Sequence, residues 1–297
     1  MTAKVILNPY SNRWIAGTRR GEVETSLREA GVDFDLVVSE GPGQITGLAE
    51  EAARAGFSPI LVAGGDGSIG ETVNGLLKAA QGGELLPIGL LPLGTANDLA
   101  YNLNYPTDLK LAAKIIATGK VRAMDLCQVN ERFFANNAAV GLEPYVTLVQ
   151  NRIHWIKGMG RYLVAALMAV MDRPNWRARL EWEDGVYEGP VTLVTVCNGA
   201  RSGGVFFMAP QADPFDGMLT VVHGYRSSRW GMLTLLPKAM KPGAGSYVES
   251  PGVKQFHTRW LKVRLENPSP AHTDGEVFTQ DIRELEYRVI PGKINIL

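Results

Sequence analysis

A short apolar run followed at once by glycines is the feature that most constrains this chain. Residues 60–63 have the pattern of a buried strand, Gly64, Gly65 and Gly67 follow, and a helical spacing of apolar residues begins after them. A strand, a glycine turn and a helix in this order direct backbone N–H groups and the positive end of a helix at one point, which favours phosphate binding. Gly65 and Gly67 lack a Cβ, so the backbone there can take positive φ and approach a ligand closely.

Asp66 lies among these glycines. A carboxylate repels phosphate oxygens unless a cation lies between them, so the loop predicts a nucleotide with Mg²⁺. No Gly-Lys-Ser/Thr follows, which excludes a P-loop. The G-x-G-x-x-G match ending at Gly70 is weak evidence for a dinucleotide site, because the next strand, residues 87–91, has no acid at its tip. A tight turn that binds nothing is the other alternative.

Length and composition narrow the class of protein. With 297 residues the chain can form two domains, and equal numbers of basic and acidic residues, 30 each, give no field that attracts nucleic acid. Cys127 and Cys197 have neither metal-site nor paired spacing. The start runs directly into an apolar strand without a signal peptide, and the longest apolar run, residues 163–171, is too short to span a bilayer. We therefore expect a cytoplasmic protein with no nucleic-acid partner.

The first 120 residues alternate strands with helices. Strands are predicted over residues 4–7, 34–38, 60–63 and 87–91, and helices over 21–30, 44–55, the segment after the glycines, and 109–118. This alternation predicts a parallel sheet with helices on both faces. The strand ends at Asn8, Ser39, Gly65 and Thr95 would then lie at one edge, where such sheets bind ligands.

After residue 120 the pattern becomes β-rich. Alternating runs predict a hairpin over residues 121–136 and further strands over 176–182, 191–198, 218–223 and 260–265, with a helical insertion over 144–171. The predicted fold class is thus an open parallel α/β nucleotide-binding domain, residues 1–120, followed by a C-terminal β-sandwich, residues 121–284. The alternating tail, residues 285–297, belongs to either domain on this pattern alone.

Five motifs in a fixed order resemble a known family. They are Asn8-Pro9, Gly64-Gly65-Asp66-Gly67-Ser68, the run from Leu91 to Asp98, the run from Ala212 to Gly217, and Asp274-Gly275-Glu276. The ordered set resembles the bacterial diacylglycerol and sphingosine lipid kinases, although Gly-Gly-Asp-Gly is shared with NAD kinases and phosphofructokinases. The resemblance covers nearly the whole chain. It implies ATP-dependent phosphorylation of a lipid hydroxyl, an active site between two domains, and a final strand that returns to the first domain.

The resemblance also assigns site residues. It places ATP on Asn8, Pro9, Tyr10, Ser11, Asn12, Ser39, Gly64, Gly65, Asp66, Gly67, Ser68, Ile69, Gly70, Glu71, Thr95, Asn97 and Asp98. It matches Asp213, Asp216 and the carbonyl of Met218 to a Mg²⁺ site, and Asp274 with Glu276 to the acidic pair that takes the substrate proton. Two positions depart from the pattern. Ser68 replaces a threonine, and Gly70 replaces an asparagine, which removes a side chain near the phosphates.

Physical chemistry supplies competing interpretations of these acids. Asp66, Asp98 and Asp216 could hold Mg²⁺ if they converge. Alternatively, Asp98 caps a helix, and Asp216-Gly217 and Asp274-Gly275 are hairpin turns. Asp274 and Glu276 would share one face of a strand unless Gly275 breaks the alternation; we favour Asp274 as the base. For the nearby His272 we favour a surface histidine on a strand.

One segment has a composition suited to membranes. Arg152, Trp155, Lys157, Arg161 and Tyr162 precede an apolar run, so the segment could lie on a membrane surface or pack as a helix against the sandwich. The predicted partner is a lipid substrate at a membrane surface, with the protein cytoplasmic and peripheral; a homodimer is a candidate assembly. The alternatives to a lipid kinase are a soluble-substrate kinase of the NAD-kinase type and an inactive protein that binds nucleotide and lipid.

Overall fold

The computed structural model describes residues 1–153, 155–156, 159–172 and 175–297. The chain divides into two compact units, the first formed by Met1–Leu126 and Ile290–Leu297, and the second by Cys127–Val289. Each division falls inside a strand that continues through it, whereas the sequence placed the divisions near residues 120 and 285.

The first unit is a parallel α/β structure. Its elements are β1 (Ala3–Leu7), α1 (Ile15–Thr18), α2 (Arg20–Glu29), β2 (Phe34–Val38), α3 (Gln44–Arg54), β3 (Ile60–Gly64), α4 (Asp66–Ala80), β4 (Ile88–Pro92), α5 (Asp98–Asn102), α6 (Leu109–Thr118) and the start of β5 (Arg122–Val129). The strands are ordered β4-β3-β1-β2 and every pair is parallel. At the C-terminus, Ile296 pairs in parallel with Ile88, so the end of the chain extends this sheet.

Burial explains why these strands are continuous apolar runs. Every residue of β3 and of β4 is buried, as expected for a parallel sheet that helices cover on both faces. Helix α6 shows how the sequence sets a helix end: the Asp108 carboxylate accepts the N–H of Leu111 at 2.9 Å, and Gly119, at φ 64°, ends the helix.

The second unit is antiparallel. Its elements after β5 are β6 (Arg132–Phe134), β7 (Asn137–Gly141), α7 (Leu142–Arg152), α8 (Met159–Asp172), β8 (Trp176–Trp182), β9 (Gly185–Val191), β10 (Leu193–Cys197), β11 (Arg201–Ser202), β12 (Phe206–Phe207), β13 (Leu219–Gly224), α9 (Arg229–Leu233), α10 (Leu236–Ala239), a 3₁₀ turn (Tyr247–Glu249), β14 (Val253–Thr258), β15 (Trp260–Thr273) and β16 (Glu276–Ile296). The main strand order is β14-β13-β10-β7-β15-β16, and β9-β8 joins it at β15.

The core of the second unit lies between its strands. Inward residues of β8, β10, β13 and β15 form one apolar cluster, in which Phe134 packs edge-on against Tyr287 with ring centroids 6.5 Å apart. The predicted helical insertion is the pair α7 and α8. The fold class predicted from the sequence, an α/β unit followed by a β-sandwich, is confirmed.

Candidate active site

The glycine loop is shaped by its neighbour rather than by positive φ. Gly65 has φ −107° and ψ −170°, and Gly67 lies inside α4, which begins at Asp66. Neither glycine uses the positive φ that the absence of a Cβ would allow. Space is the reason for glycine: a Cβ on Gly65 would lie 3.0 Å from the Cα of Gly94, and a Cβ on Gly94 would lie 2.5 Å from the Cα of Gly65. The loops after β3 and β4 touch backbone to backbone.

Helix α4 directs its N-terminus at the same edge of the sheet. The helix has 15 residues, and its N-cap, Gly65, has no side chain to accept the first N–H groups. Such a helix end favours an anion. Ser68, in the first turn, is buried, and Ile69 points into the core at 6% exposure. Ile69 is thus a packing residue of the predicted nucleotide loop.

Asp66 joins the starts of two helices. Its Oδ1 accepts the N–H of Leu99 at 2.9 Å, in the first turn of α5. Asp98, the first residue of α5, is 5% exposed, and Asn97 precedes it in the left-handed region. The side chain that accepts this first-turn N–H of α5 is thus Asp66, whereas the sequence suggested Asp98 as a cap.

The Asn8–Asn12 turn contacts both loops. Asn8 donates to Ser68 Oγ at 2.9 Å and accepts the N–H of Tyr10 at 3.0 Å. Thr95 donates to Asn12 Oδ1 at 3.2 Å. The carboxyl ends of β1, β3 and β4 therefore meet through side chains, as the sequence predicted for a ligand-binding edge.

Other residues that the resemblance assigns to ATP form hydrogen bonds to the loops or to the elements beside them. Asn97 Oδ1 accepts the N–H of Gly94 at 2.8 Å, which holds the turn after β4. Glu71 accepts the N–H of Ile45 at 3.2 Å, at the start of α3.

Ser39, at the end of β2, is 2% exposed, and its Oγ has no hydrogen-bond partner in the described residues. Pro9 packs beside Gly17, and Ser11 Oγ lies 3.5 Å from Ser68 Oγ; Gly70 O accepts from the Asn74 amide.

The predicted metal residues lie in one exposed loop of the second unit. Asp213 Oδ1 accepts the N–H of Phe215 at 3.0 Å, and Asp216 Oδ1 accepts the N–H of Met218 at 2.8 Å. Both aspartates are exposed. Two carboxylates and a carbonyl are oxygen donors of the kind that Mg²⁺ prefers, so the donor set fits this ion. Across the described residues, no three His, Cys, Asp or Glu side chains form a metal-binding group.

Asp274 and Gly275 form the turn between β15 and β16. Their φ values are 47° and 85°, and Thr273 pairs with Glu276, so they are the central residues of a two-residue hairpin. The turn breaks the strand alternation at Gly275, which is the alternative that the sequence left open, so Asp274 and Glu276 do not share one face of a strand. Glu276 is exposed, whereas Asp274 is half-buried.

The Asp274 carboxylate is held by the backbone of the segment before β7. It accepts the N–H groups of Ala135, Asn136 and Asn137, each at 2.9 Å. The Asp274 N–H donates in turn to the Asn137 carbonyl at 2.7 Å. Three charge-assisted hydrogen bonds fix the direction of this carboxylate.

His272 and Glu143 form a buried pair that the sequence did not reveal. His272 is 2% exposed and its Nε2 lies 3.2 Å from Glu143 Oε1, so the prediction of a surface histidine is wrong. Glu143 also accepts from Asn137 Nδ2 at 2.8 Å. Burial raises the pKa of Glu143, but the His272 ring and the Asn137 amide outweigh burial and hold that pKa below its usual range. No motif marks Glu143; its signal is an acid among apolar residues at the start of a helix.

An apolar pocket with a cavity of about 90 Å³ lies within the second unit. Its walls come from α7, α8, β12, the end of β13, α9, α10 and the 3₁₀ turn, with Val146, Ala166, Val170, Phe206 and Met232 among them. The few polar groups that line it include Glu143, Thr192 and Arg226. Walls of this apolar character suit a hydrocarbon chain.

The outer face of α8 is also apolar. Leu163, Leu167, Met168 and Met171 follow one side of the helix, and each is 40–47% exposed. Trp155, before the helix, is 76% exposed. Lys157 and the side chain of Tyr162 lie outside the described residues. Within the part of the chain that the structure describes, no helix is long and apolar enough to cross a bilayer.

Sequence comparison places these features in one family. Residues 2–129 match the diacylglycerol kinase catalytic domain, and residues 136–297 match the YegS C-terminal NAD kinase beta sandwich-like domain. The chain belongs to the family of diacylglycerol kinases and YegS-like lipid kinases. It is therefore a kinase, as its relatives are named.

Two curated relatives illustrate the similarity. The "Probable lipid kinase YegS-like" of Pseudomonas aeruginosa is 30% identical over 91% of this chain and 86% of that protein. The diacylglycerol kinase of Bacillus subtilis is 27% identical over 92% of this chain and 89% of that protein. The crystal structure of a diacylglycerol kinase from Bacillus anthracis superposes with a TM-score of 0.75 at 20% identity and covers 99% of this chain and 96% of that one. At this identity the structural likeness concerns the fold.

Proposed function

We propose that this protein transfers the γ-phosphoryl group of Mg·ATP to the hydroxyl of a diacylglycerol-like lipid. The observation that carries the proposal is the apolar pocket of the second unit, because Glu143 lines it and is hydrogen-bonded through His272 to the hairpin that presents Asp274. A hydrocarbon chain in the pocket would place its polar end near the Glu143 carboxylate, which His272 connects to the Asp274 turn. Relatives named diacylglycerol kinase support the same acceptor.

The first unit would bind ATP. The N-terminus of α4, the Asn8–Asn12 turn and Thr95 lie together at the carboxyl edge of the parallel sheet. Phosphoryl transfer depends mainly on positioning and on neutralising charge, and a helix end with closely packed glycine loops supplies both. Asp213, Asp216 and the Met218 carbonyl would hold Mg²⁺, which offsets the negative charge of the phosphates.

Asp274 would accept the proton of the lipid hydroxyl, and Glu276 is the alternative. The base must lie within hydrogen-bond reach of the hydroxyl, and a carboxylate fixed by three backbone N–H groups keeps one position. Glu276 is exposed, and its carboxylate is not fixed by backbone N–H groups in this way. We therefore favour Asp274.

The membrane would present the lipid. The side of α8 opposite its exposed apolar face carries Ala165, Ala166 and Ala169. That side packs against α7, and both helices line the pocket. Arg152 and Arg161 precede the exposed apolar face in the chain, and basic residues suit anionic headgroups. Peripheral attachment from the cytoplasm would give the protein access to its substrate. We retain a homodimer as a proposal and expect no nucleic-acid partner.

The main rival is a kinase with a soluble acceptor of the NAD-kinase type. An adenine-sized polar pocket would support it, but the pocket in the second unit is lined mainly by hydrocarbon. An inactive homologue is the second rival, and Gly70, without a side chain near the phosphates, is the feature that favours it.

Transfer of labelled phosphate tests the proposal against both rivals. The protein is incubated with Mg²⁺, γ-labelled ATP and either a panel of long-chain alcohols and lipids in mixed micelles or NAD in solution. We expect label in the organic extract from at least one lipid and none on NAD. Label on NAD alone would establish the first rival, and label on neither acceptor, with ATP bound, would establish the second.

A further inference from the structure

We infer that Glu143 and His272 are positioning residues that lock the Asp274-Gly275 hairpin in its catalytic conformation, an inference that rests on the proposed function of Asp274. His272 Nδ1 accepts the N–H of Gly275 at 3.3 Å, and His272 Nε2 faces Glu143 Oε1 at 3.2 Å. The imidazole thus bridges the turn on one side and a carboxylate on the other.

The bridge assigns the proton of His272. Because Nδ1 accepts from a backbone N–H, it carries no proton, and the proton of the neutral ring lies on Nε2. Nε2–H then donates to Glu143 Oε1. Glu143 selects this tautomer and ring orientation, as a carboxylate does for a histidine in other sites.

The same carboxylate also reaches the turn by a second route. Glu143 Oε1 accepts from Asn137 Nδ2 at 2.8 Å, while the backbone of Asn137 donates to Asp274 Oδ1 at 2.9 Å and accepts the Asp274 N–H at 2.7 Å. Hydrogen bonds therefore form a closed ring through Glu143, His272, the hairpin and Asn137. The ring fixes both central residues of the turn.

The arrangement has a cost that packing alone does not explain. His272 and Glu143 are 2% and 8% exposed, and burying a carboxylate and an imidazole is unfavourable unless both are hydrogen-bonded. The turn residue Asp274 also has a backbone φ of 47°, which residues other than glycine adopt less readily. Because Glu143 lines the apolar pocket as well, the pair sets the position of Asp274 relative to the pocket wall.

Two substitutions of His272 separate its two contacts. In His272→Asn the amide oxygen occupies the place of Nδ1 and accepts from Gly275, but the side chain is too short to reach Glu143. In His272→Gln the amide nitrogen occupies the place of Nε2 and donates to Glu143, but the Gly275 N–H loses its acceptor. Glu143→Gln keeps an oxygen for Nε2–H and is the conservative variant at the other end.

Kinetics of lipid phosphorylation by the full-length variants provide the test. We expect His272→Gln to lower kcat by about 10- to 100-fold, since small displacements of a reacting group cost this much. We expect His272→Asn to retain kcat to within a few-fold and Glu143→Gln to fall between them. KM for ATP should stay within about twofold of wild type in all three. Equal losses in Asn and Gln variants, or wild-type kcat in His272→Gln, would overturn the inference.

Hydrogen exchange of the Gly275 amide separates this inference from the proposed function. His272→Gln should accelerate exchange of that amide at least tenfold and His272→Asn should not. If the wild type phosphorylates no lipid, the proposed function fails, and the exchange result alone decides whether the pair holds the turn. Unchanged protection in His272→Gln would show that it does not.

Discussion

Asp274 and Asn137 hold each other by two hydrogen bonds. Asp274 Oδ1 accepts the Asn137 N–H at 2.9 Å, and the Asp274 N–H donates to the Asn137 carbonyl at 2.7 Å. The proposed base is therefore anchored through main chain and side chain to the segment that leads into β7. A residue held in this way keeps its position before the substrate arrives.

The first prediction concerns the base. Asp274→Asn should lower turnover by roughly 10²–10⁴-fold, because the amide cannot accept the hydroxyl proton. Glu276→Gln should retain most turnover. ATP affinity, measured by titration, should change little in either variant, because the predicted nucleotide loops belong to the first unit.

Thermal unfolding of both variants serves as the control for the backbone contacts of Asp274. If both variants keep near-normal turnover, neither residue is the base. If only Glu276→Gln is inactive, the roles of the two acids are exchanged.

The second prediction concerns the two touching glycines. Gly94→Ala adds a Cβ that would lie 2.5 Å from the Cα of Gly65, so the loops must separate. We expect ATP affinity to fall at least tenfold, and Gly65→Val to abolish binding. Gly21→Ala is the matched control: its Cβ meets nothing within 4 Å in α2, and it should stabilise the protein by up to about 1 kcal/mol without affecting ATP. Unchanged ATP affinity in folded Gly94→Ala would refute the phosphate-loop assignment.

The third prediction concerns acid stability. Burial, with a smaller effect of Lys254, lowers the pKa of His223 from 6.5 to about 4. As the pH falls, the unfolded chain therefore takes up the His223 proton at a higher pH than the folded protein does. The free energy of unfolding should be steady above pH 6.5 and fall as the pH drops from 6.5 towards 4. The loss should be at most about 3 kcal/mol.

Denaturant midpoints between pH 7 and pH 4 check this dependence. His223→Phe should show a shallower decline, because the neutral ring fills the space between Tyr187 and Phe256 without titrating. An identical decline in wild type and His223→Phe would contradict the assignment.

The fourth prediction concerns the outer face of α8. Leu167→Ser with Met168→Ser should reduce sedimentation with anionic vesicles several-fold, because apolar area drives interfacial binding. Leu111→Ser removes a comparably exposed leucine from α6 and should leave sedimentation unchanged. If the α8 variant sediments like wild type, the membrane contact lies elsewhere.

The sequence predicted the first unit well because its signals are local. Each buried parallel strand is a short apolar run, and the strand-end position of Asn8, Gly65 and Thr95 follows from alternation of strands and helices. The sequence did not predict why Gly65 is glycine. Its reason is the backbone of Gly94, which is distant in the chain and near only in the folded sheet.

The environment of His272, in contrast, could not be predicted from the sequence. The first half of β15 alternates between buried and exposed residues, but Ser269–Thr273 are all buried because β7 and α7 cover this end. Alternation therefore indicates no face for His272 there. Its partner, Glu143, lies on a different element, so only the tertiary structure brings the pair together.

The most direct test of the central claim is phosphorylation of a long-chain diacylglycerol in mixed micelles by wild type and by Ala166→Phe. Ala166 lines the apolar pocket, and the adjacent Leu167 is exposed, so Leu167→Phe is the matched control. We predict that wild type and Leu167→Phe form labelled phospholipid from γ-labelled ATP, and that Ala166→Phe lowers kcat/KM for the lipid at least tenfold with unchanged ATP affinity. Equal kcat/KM in Ala166→Phe and wild type, or no labelled lipid from wild type, would contradict the account.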